Sequence, residues 1–359
     1  MELKGTTIET IIETIREKLP AAYTVDLLLG MSKVTVSTNS EALYGHLKSY
    51  FAEFLGGPFD EAIFISFHED TTPEIGMTLK AKEPEPGKKG RKEAWCDLSD
   101  GRLVTKLRTG MVFLFGHGKN LAIGPCLSHF SQVVNFITNR CQEAALKRGA
   151  LLGHASAVTH GKGALVLAGN SGAGKSTLAL HMMVGGATFV SNDRVILERK
   201  RDGIALSGVA KHPRVNPGTL LSVPGLDCLL SEEDRERFSL LDDEALRAVQ
   251  QKADVVIHEV FGPHRFELDA ALTAVVILGW GDDEGPRLQL LPEDERLKKM
   301  EALRKSPGLF FCPGSHEPIP SVATRDYVVF LDGIPVYELR GKMDYKLAAR
   351  LCREVLSLG

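Results

Sequence analysis

The segment that most constrains the fold is a glycine-rich run near the centre of the chain, residues 169–176, with the sequence GNSGAGKS. It matches the pattern G-x-x-x-x-G-K-[ST]; an apolar run over 164–168 precedes it, and a helix-like run over 177–184 follows it. Strand, loop and helix in this order are the context in which the pattern binds phosphate. The amides at the helix N-terminus point at phosphate oxygens, and the helix dipole favours negative charge there. The sequence therefore predicts an α/β domain that binds a nucleotide.

Each position of this loop has an expected role. Lys175 is expected to reach the β- and γ-phosphates, and the hydroxyl of Ser176 to bind Mg²⁺. The loop alone does not distinguish ATPases, GTPases and kinases, but the N-K-x-D motif of a GTPase is absent from the sequence. We predict ATP and Mg²⁺ as the cofactors. The residues predicted to bind the nucleotide are Gly169, Asn170, Ser171, Gly172, Ala173, Gly174, Lys175, Ser176 and Thr177.

The composition of the chain excludes several classes of protein. The chain has 359 residues, 43% of them hydrophobic, which is enough for two domains with a substantial core. Its 43 basic and 46 acidic residues leave a net charge of −3, which argues against an electrostatic nucleic-acid binder. No apolar run approaches the ~20 residues that a membrane span needs. The six scattered cysteines form no CxxC pair, which fits a reducing compartment. We therefore predict a cytoplasmic protein with neither nucleic acid nor membrane as a partner.

Hydrophobic periodicity predicts the domain organisation. We expect a smaller N-terminal α+β domain over residues 1–125 and a P-loop domain with a mixed sheet over 126–359. The boundary is placed near the start of a helix predicted over 128–147, whose apolar residues keep helical spacing. Beyond the loop, the patterns predict an acidic helical stretch over 231–249, a buried strand over 272–278, a helix over 293–304, strands over 326–338 and a helix over 344–357.

Three features together resemble the HPr kinase/phosphorylase family, and within it the subgroup of HPr kinase-related kinases. His154 lies fifteen residues before Gly169, the interval at which the family carries its catalytic histidine. The loop GNSGAGKS is similar to the family's GDSGVGKS, and FVSNDRV over 189–195 is similar to the family's apolar-apolar-A-D-D-R-V segment. The resemblance covers residues 150–198. It implies a P-loop core of the type shared with phosphoenolpyruvate carboxykinase, and a homo-oligomer.

The resemblance also implies an activity, the transfer of the γ-phosphoryl group of ATP to a hydroxyl of a protein or small molecule, with serine as the expected acceptor. Asp193 falls at the family's catalytic acid/base position, and it is also a predicted Mg²⁺ ligand with Ser176. Its place after an apolar strand suits either role without the resemblance, although a turn Asp is the alternative. His154 is predicted to hydrogen-bond that carboxylate or a phosphoryl oxygen, although an isolated histidine in an apolar strand is usually a core residue. Arg265 is the candidate for the arginine that stabilises the transferring phosphoryl group.

Two departures from the family pattern keep other functions open. Asn192 stands where the family has the first Asp of its pair, which removes a charge next to Mg²⁺. The Glu of the family's downstream E-I-R-G motif is absent, and His212, two residues before Arg214, stands in its place. We therefore expect kinase activity without phosphorolysis. The alternative is a nucleotide-binding regulatory protein with a degraded kinase site. A carboxykinase-like enzyme would need further metal-binding His and Lys residues, for which the sequence offers no convincing set.

Overall fold

The structure is a computed structural model, and it describes residues 1–83, 90–161, 163–249, 251–281, 284–312 and 323–357. The chain forms two compact units, Met1–Arg148 with Pro307–Ile319 and Gly149–Ser306 with Pro320–Gly359. The first division therefore comes after residue 148, whereas the sequence pattern placed it at 125. The helix between these two positions belongs to the first unit because its Phe136 packs on Phe67 and Phe113.

The first unit is α+β. Its elements are β1 Glu2–Leu3, α1 Ile8–Lys18, β2 Tyr23–Leu29, β3 Ser32–Thr38, α2 Glu41–Tyr50, β4 Ile63–Glu69, β5 Glu74–Ile75, β6 Lys80–Ala81, β7 Glu93–Leu98, β8 Gly101–Lys106, β9 Val112–Gly116, β10 Lys119–Gly124 and α3 Phe130–Lys147. The main sheet, among the described residues, has the strand order β2-β3-β4-β10-β9-β8-β7-β6; β4 pairs in parallel with β3 and β10, and the other neighbours are antiparallel. Helix α1 is N-capped by Thr7, whose side chain accepts a hydrogen bond from the Thr10 amide, and its buried isoleucines pack against the sheet.

The second unit contains the glycine-rich loop. Its helices are α4 Lys175–Val184, α5 Pro217–Ser222, α6 Glu232–Ser239, α7 Asp243–Ala248, α8 Ile257–Phe261, α9 Glu293–Lys299, α10 Thr324–Phe330 and α11 Tyr345–Ser357. Its strands are β11 Leu151–Gly153, β12 Ala155–His160, β13 Gly163–Ala168, β14 Thr188–Ser191, β15 Val195–Lys200, β16 Gly203–Ser207, β17 Arg214–Val215, β18 Ala253–Asp254, β19 Asp269–Leu278, β20 Arg287–Leu290 and β21 Val336–Arg340.

The sheet of this unit is mixed, as predicted. Among the described residues the strands run β11-β15-β16-β19-β13-β12-β14, with β21 paired to β19 and β20 to β21. Strand β13 is parallel to β19, β19 is parallel to β21, and β12 is antiparallel to both β13 and β14. The carboxyl ends of β13, β14, β19 and β21 therefore lie at one edge of the sheet, which is where open α/β sheets bind their ligands. This arrangement confirms the α/β class.

In the core of the second unit, the central strands were predictable from their apolar runs, whereas helix α10 was not. Strands β13 and β19 are apolar throughout their centres because both faces are covered, and Val166 and Val275 share a buried cluster with Leu303 and Tyr327. The strand predicted at the start of 326–338 is wrong, because helix α10 covers that part. Its aromatic and β-branched residues favour a strand locally, but burial of Tyr327 in the cluster decides the conformation.

No helix in the described part of the chain is both long and apolar enough to cross a membrane.

Candidate active site

The glycine-rich loop connects β13 to α4, as the sequence predicts. Gly174 is the N-cap of α4 and has a φ of 84°, and Gly172 has a φ of 80°. This left-handed conformation is unfavourable for residues with a Cβ. At Gly174 there is also no space, because a Cβ would lie 2.1 Å from the Tyr345 hydroxyl. Both glycines are thus required by the backbone conformation of the loop.

Lys175 lies over its own loop. Its ammonium donates hydrogen bonds to the carbonyl oxygens of Gly169 at 2.9 Å and Asn170 at 3.1 Å, and the residue is only 8% exposed. Burial lowers the pKa of Lys175, the charge of Asp193 opposes that effect, and Lys305 adds to it. A phosphate bound on the loop would favour the charged form of Lys175 and would accept hydrogen bonds from its ammonium group.

The hydroxyl of Ser176 is oriented by Asn192. The amide oxygen of Asn192 accepts hydrogen bonds from Ser176 at 2.6 Å and from Ser156 at 2.8 Å. The hydroxyl proton of Ser176 therefore points at Asn192, and its oxygen lone pairs are directed elsewhere. Ser156, in β12, was not identified from the sequence, although it lies only two residues after His154.

These residues fit a bound Mg²⁺. A serine hydroxyl at position 176 and a carboxylate at Asp193 are hard oxygen ligands of the kind that Mg²⁺ prefers. Among the described residues no group of three or more His, Cys, Asp or Glu side chains is placed to hold a metal ion. Mg²⁺ is commonly held by one or two protein ligands together with substrate phosphates and water, so this sparse set suits a nucleotide-bound ion.

Asp193 lies next to His154. The Asp193 carboxylate is 3.5 Å from His154 Nε2 and 3.7 Å from Arg194 Nε, and its side chain is 61% exposed. Burial and the charge of Lys175 lower the pKa of His154, and Asp193 opposes them. At neutral pH the imidazole is therefore uncharged, and it contacts the carboxylate as a polar neighbour.

The turn that presents Asp193 is strained. Asp193 has a φ of 69°, a left-handed value that costs a non-glycine residue on the order of 1 kcal/mol or more. Ser191 stabilises the turn on both sides, because its hydroxyl donates to the Arg194 carbonyl and accepts from the Val209 amide. Such strain persists only where surrounding contacts enforce it, and it is concentrated at functional sites.

Several cations surround this carboxylate. Burial lowers the pKa of Lys211, and the charge of Asp193 opposes that shift, as it does for Lys175. Lys305 acts on both His154 and Lys175. Sequence reasoning missed Lys211 and Lys305, because each comes from a separate segment without a motif. Together the cations create a positive region that suits a polyphosphate.

Arg265 is not part of this cluster. Its guanidinium donates to the carbonyl oxygens of Met183 at 2.9 Å and Ala187 at 2.7 Å, at the C-terminal end of α4. The loop lies at the other end of this ten-residue helix, about 15 Å away. The resemblance led us to expect Arg265 to face the transferring phosphoryl group, but the structure places it at the far end of α4. His212 is also structural, because it is buried and its Nδ1 accepts from the Ile257 amide at 3.2 Å.

Two aromatic side chains support the loop on the side away from Asp193. The indole of Trp280 donates to the Ala173 carbonyl at 2.8 Å. Tyr345 packs edge-on against Trp280, with ring centroids 5.7 Å apart, and stacks on His181 at 5.4 Å. The position of Trp280, directly after a buried strand that ends beside the loop, is a signal that could have identified it. Tyr345 has no such signal in the sequence.

No protein-family model matches the sequence, and no curated protein matches it. Among solved structures, the chain is similar to the HPr(Ser) kinase/phosphatase from Coxiella burnetii, with 13% sequence identity and a TM-score of 0.29 over 56% of this chain and 94% of that one. Because this TM-score is low, the assignment to the α/β class rests on the strands, loop and helix described above and not on this similarity. The family resemblance over residues 150–198 stays a prediction.

Proposed function

We propose that the chain is a kinase that binds ATP with Mg²⁺ and transfers the γ-phosphoryl group to a hydroxyl, with serine of a protein or small molecule as the expected acceptor. The observation that supports this best is the contact between two site elements. Asn192 hydrogen-bonds the loop residue Ser176, and the next residue, Asp193, presents an exposed carboxylate beside a neutral His154. A phosphate-binding loop and a candidate base therefore adjoin each other directly.

Each residue has a role in the proposed transfer. The loop amides and Lys175 hold the β- and γ-phosphates, and Ser176 would hold Mg²⁺, which when bound neutralises charge on the phosphates. The acceptor oxygen attacks the γ-phosphorus, the bond from that phosphorus to the bridging oxygen breaks, and ADP leaves. Asp193 accepts the hydroxyl proton, and His154 keeps the carboxylate in position.

Nucleotide binding is the first test of this proposal. Isothermal titration of the wild type with Mg-ATP should show binding, and Lys175→Ala should weaken it about tenfold or more, since a buried charged donor to phosphate is lost. Lys298→Ala, at an exposed lysine of α9, is the matched control and should bind as the wild type does. If the wild type bound no adenine or guanine nucleotide, the kinase proposal would be abandoned. If the wild type does bind ATP, incubation of the protein with labelled ATP and lysate of the source cell should identify the acceptor.

A nucleotide-binding regulatory protein is the second candidate, and Asn192 is the observation that favours it. An amide oxygen, unlike a carboxylate, carries no negative charge to balance the charge of Mg²⁺. ATP binding together with the absence of any labelled product would identify this function.

The Asn192→Asp variant tests what the amide does. A second carboxylate beside Ser176 should strengthen Mg²⁺ binding, so the Mg²⁺ concentration needed for half-maximal nucleotide binding should fall several-fold. We expect no new acceptor. Gln289→Glu, an amide-to-carboxylate change at an exposed position of β20, controls for added charge. An unchanged Mg²⁺ dependence in Asn192→Asp would contradict the placement of the metal here.

A further inference from the structure

A cavity of about 460 Å³ lies beside the loop in the second unit. Tyr345 forms the wall shared by cavity and loop, because it lines the cavity, hydrogen-bonds Thr177 and lies against Gly174. The volume of the cavity falls in the range of small-molecule sites, roughly 300–1,000 Å³. The lining residues come from α4, the end of α5, the segment before β20 and the segment from β21 into α11.

The strand order places this cavity and Asp193 on opposite flanks of the loop. Strand β13, which leads into the loop, lies between β12 and β19. Beyond β12 is β14, which leads to Asp193; beyond β19 is β21, which leads to the cavity residues 342–347. A nucleotide extends in one direction from its γ-phosphate to its base. With the γ-phosphate next to Asp193, the base must lie towards the β21 flank.

We propose that the cavity binds the base and ribose of a purine nucleotide whose phosphates lie on the loop, an inference that rests on the kinase function proposed above. The side chains of Met343, Tyr345 and Leu347 offer aromatic and apolar surface for the faces of a base. Lys342, Asp344 and Lys346 are exposed at the same cavity, and the two lysines outweigh the aspartate, so the charge there is net positive.

His181 supplies a second, independent observation. It lines the cavity, is only 6% exposed, and its Nε2 atom is buried without a hydrogen-bond partner among the described residues. A buried polar atom without a partner is costly and in most proteins is paired. The ring nitrogens, amino group and ribose hydroxyls of a nucleoside are partners of the required kind. The stack of His181 on Tyr345, with ring planes 10° apart, fixes the imidazole at this position.

The test separates the nucleoside from the phosphates by comparing Mg-ATP with Mg-tripolyphosphate in isothermal titration. The wild type should bind Mg-ATP at least tenfold more tightly than Mg-tripolyphosphate. Leu347→Trp places an indole at the cavity; it should lose at least tenfold in Mg-ATP affinity and keep its Mg-tripolyphosphate affinity. Leu297→Trp, at an exposed leucine of α9, is the matched control and should change neither value.

The outcomes distinguish this inference from the function on which it rests. Unchanged Mg-ATP affinity in Leu347→Trp would overturn the cavity assignment and leave the kinase proposal standing. If the wild type bound neither compound, both would be overturned. If Leu347→Trp lost both compounds, photolabelling of the wild type with 8-azido-ATP decides: we expect label on residues 342–347, and label confined to other peptides would overturn the inference.

Discussion

Asp193 has an environment that a turn-capping residue would not need. Its backbone is held in a left-handed conformation by Ser191, its carboxylate is exposed, and a neutral imidazole lies 3.5 Å away. A turn could be closed at this position by glycine or asparagine, neither of which carries a charge. A substrate with negative charge would explain the cations on several sides of Asp193. A substrate proton that has to be accepted would explain the carboxylate itself.

The Asp193→Asn variant is therefore the sharpest test of a single residue. It should lower phosphoryl transfer by about 10²–10⁴-fold, the usual contribution of a general base, while nucleotide affinity stays within a few-fold. Turnover is measured on a verified acceptor, and affinity by titration. Asp202→Asn, at an exposed aspartate between β15 and β16, is the control.

Other results with Asp193→Asn would assign the residue differently. Weaker Mg-nucleotide binding would indicate that Asp193 acts mainly as a metal ligand. A loss of about 1 kcal/mol in stability with turnover per folded molecule retained would indicate a turn cap. Full turnover would contradict the assignment as a base.

At this scale the sequence predicts only what a local motif contains. Lys175 and Ser176 lie in one continuous motif, and their positions follow from the strand, loop and helix around them. His154 and Asp193 come from separate strands, and a resemblance was needed to associate them. Lys211 and Lys305 converge on the site through the tertiary fold, and no spacing in the sequence encodes that convergence.

Helix α4 connects the site to the rest of the second unit. Its N-terminus forms the end of the loop. At its C-terminal end the carbonyl of Met183, and just beyond the helix that of Ala187, accept hydrogen bonds from Arg265. A cation at this end also complements the helix dipole. In this position Arg265 stabilises the helix that carries the loop, and it does not contact the loop.

The Arg265→Met variant tests this structural role. It should reduce the free energy of unfolding by about 1.5–3 kcal/mol, because two hydrogen bonds from a charged donor are lost, and nucleotide affinity should stay near the wild-type value. Urea unfolding and titration measure the two quantities. Arg201→Met, at an exposed turn, should change neither. Unchanged stability with a large loss of turnover would return Arg265 to the phosphoryl-transfer site.

Secondary-structure elements were predictable where a segment's own pattern agrees with its environment. Strand β13 and helix α4 are specified locally by an apolar run, glycines and a helical repeat. Helix α10 is not, because Tyr327 and its neighbours have high strand propensity and become helical by packing beneath the sheet. The predicted helix over 231–249 forms two short helices, α6 and α7, each with its own N-cap, Ser231 and Asp242.

On the scale of the whole molecule, each unit contains a buried histidine that should make stability depend on pH. His68 in the first unit is fully buried and contacts the Leu19 carbonyl through Nδ1 at 2.7 Å, and His181 in the second unit is 6% exposed. Burial is the main cause that lowers the pKa of both imidazoles. Their Nε2 atoms have no hydrogen-bond partner among the described residues, so a proton there would introduce an unpaired charge into the interior.

The sign of the effect follows from these lowered pKa values. As pH falls through about 6.5, the histidines of the unfolded chain bind protons first, so the folded state loses stability by up to about 1.4 kcal/mol per pH unit for each histidine. We expect urea unfolding at pH 7.5, 6.5 and 5.5 to show this decline, in a range that lies above the titration of ordinary carboxylates. His68→Gln and His181→Gln should each flatten it, whatever their stability at pH 7.5, because glutamine does not titrate. His117→Asn, at an exposed position with a left-handed φ of 47° that asparagine tolerates, should leave the slope unchanged. Because His68 and His181 lie in different units, a slope flattened by only one of the two variants would locate the acid-sensitive core. A slope unchanged by both would show that the imidazoles take up protons in the folded state as readily as in the unfolded chain.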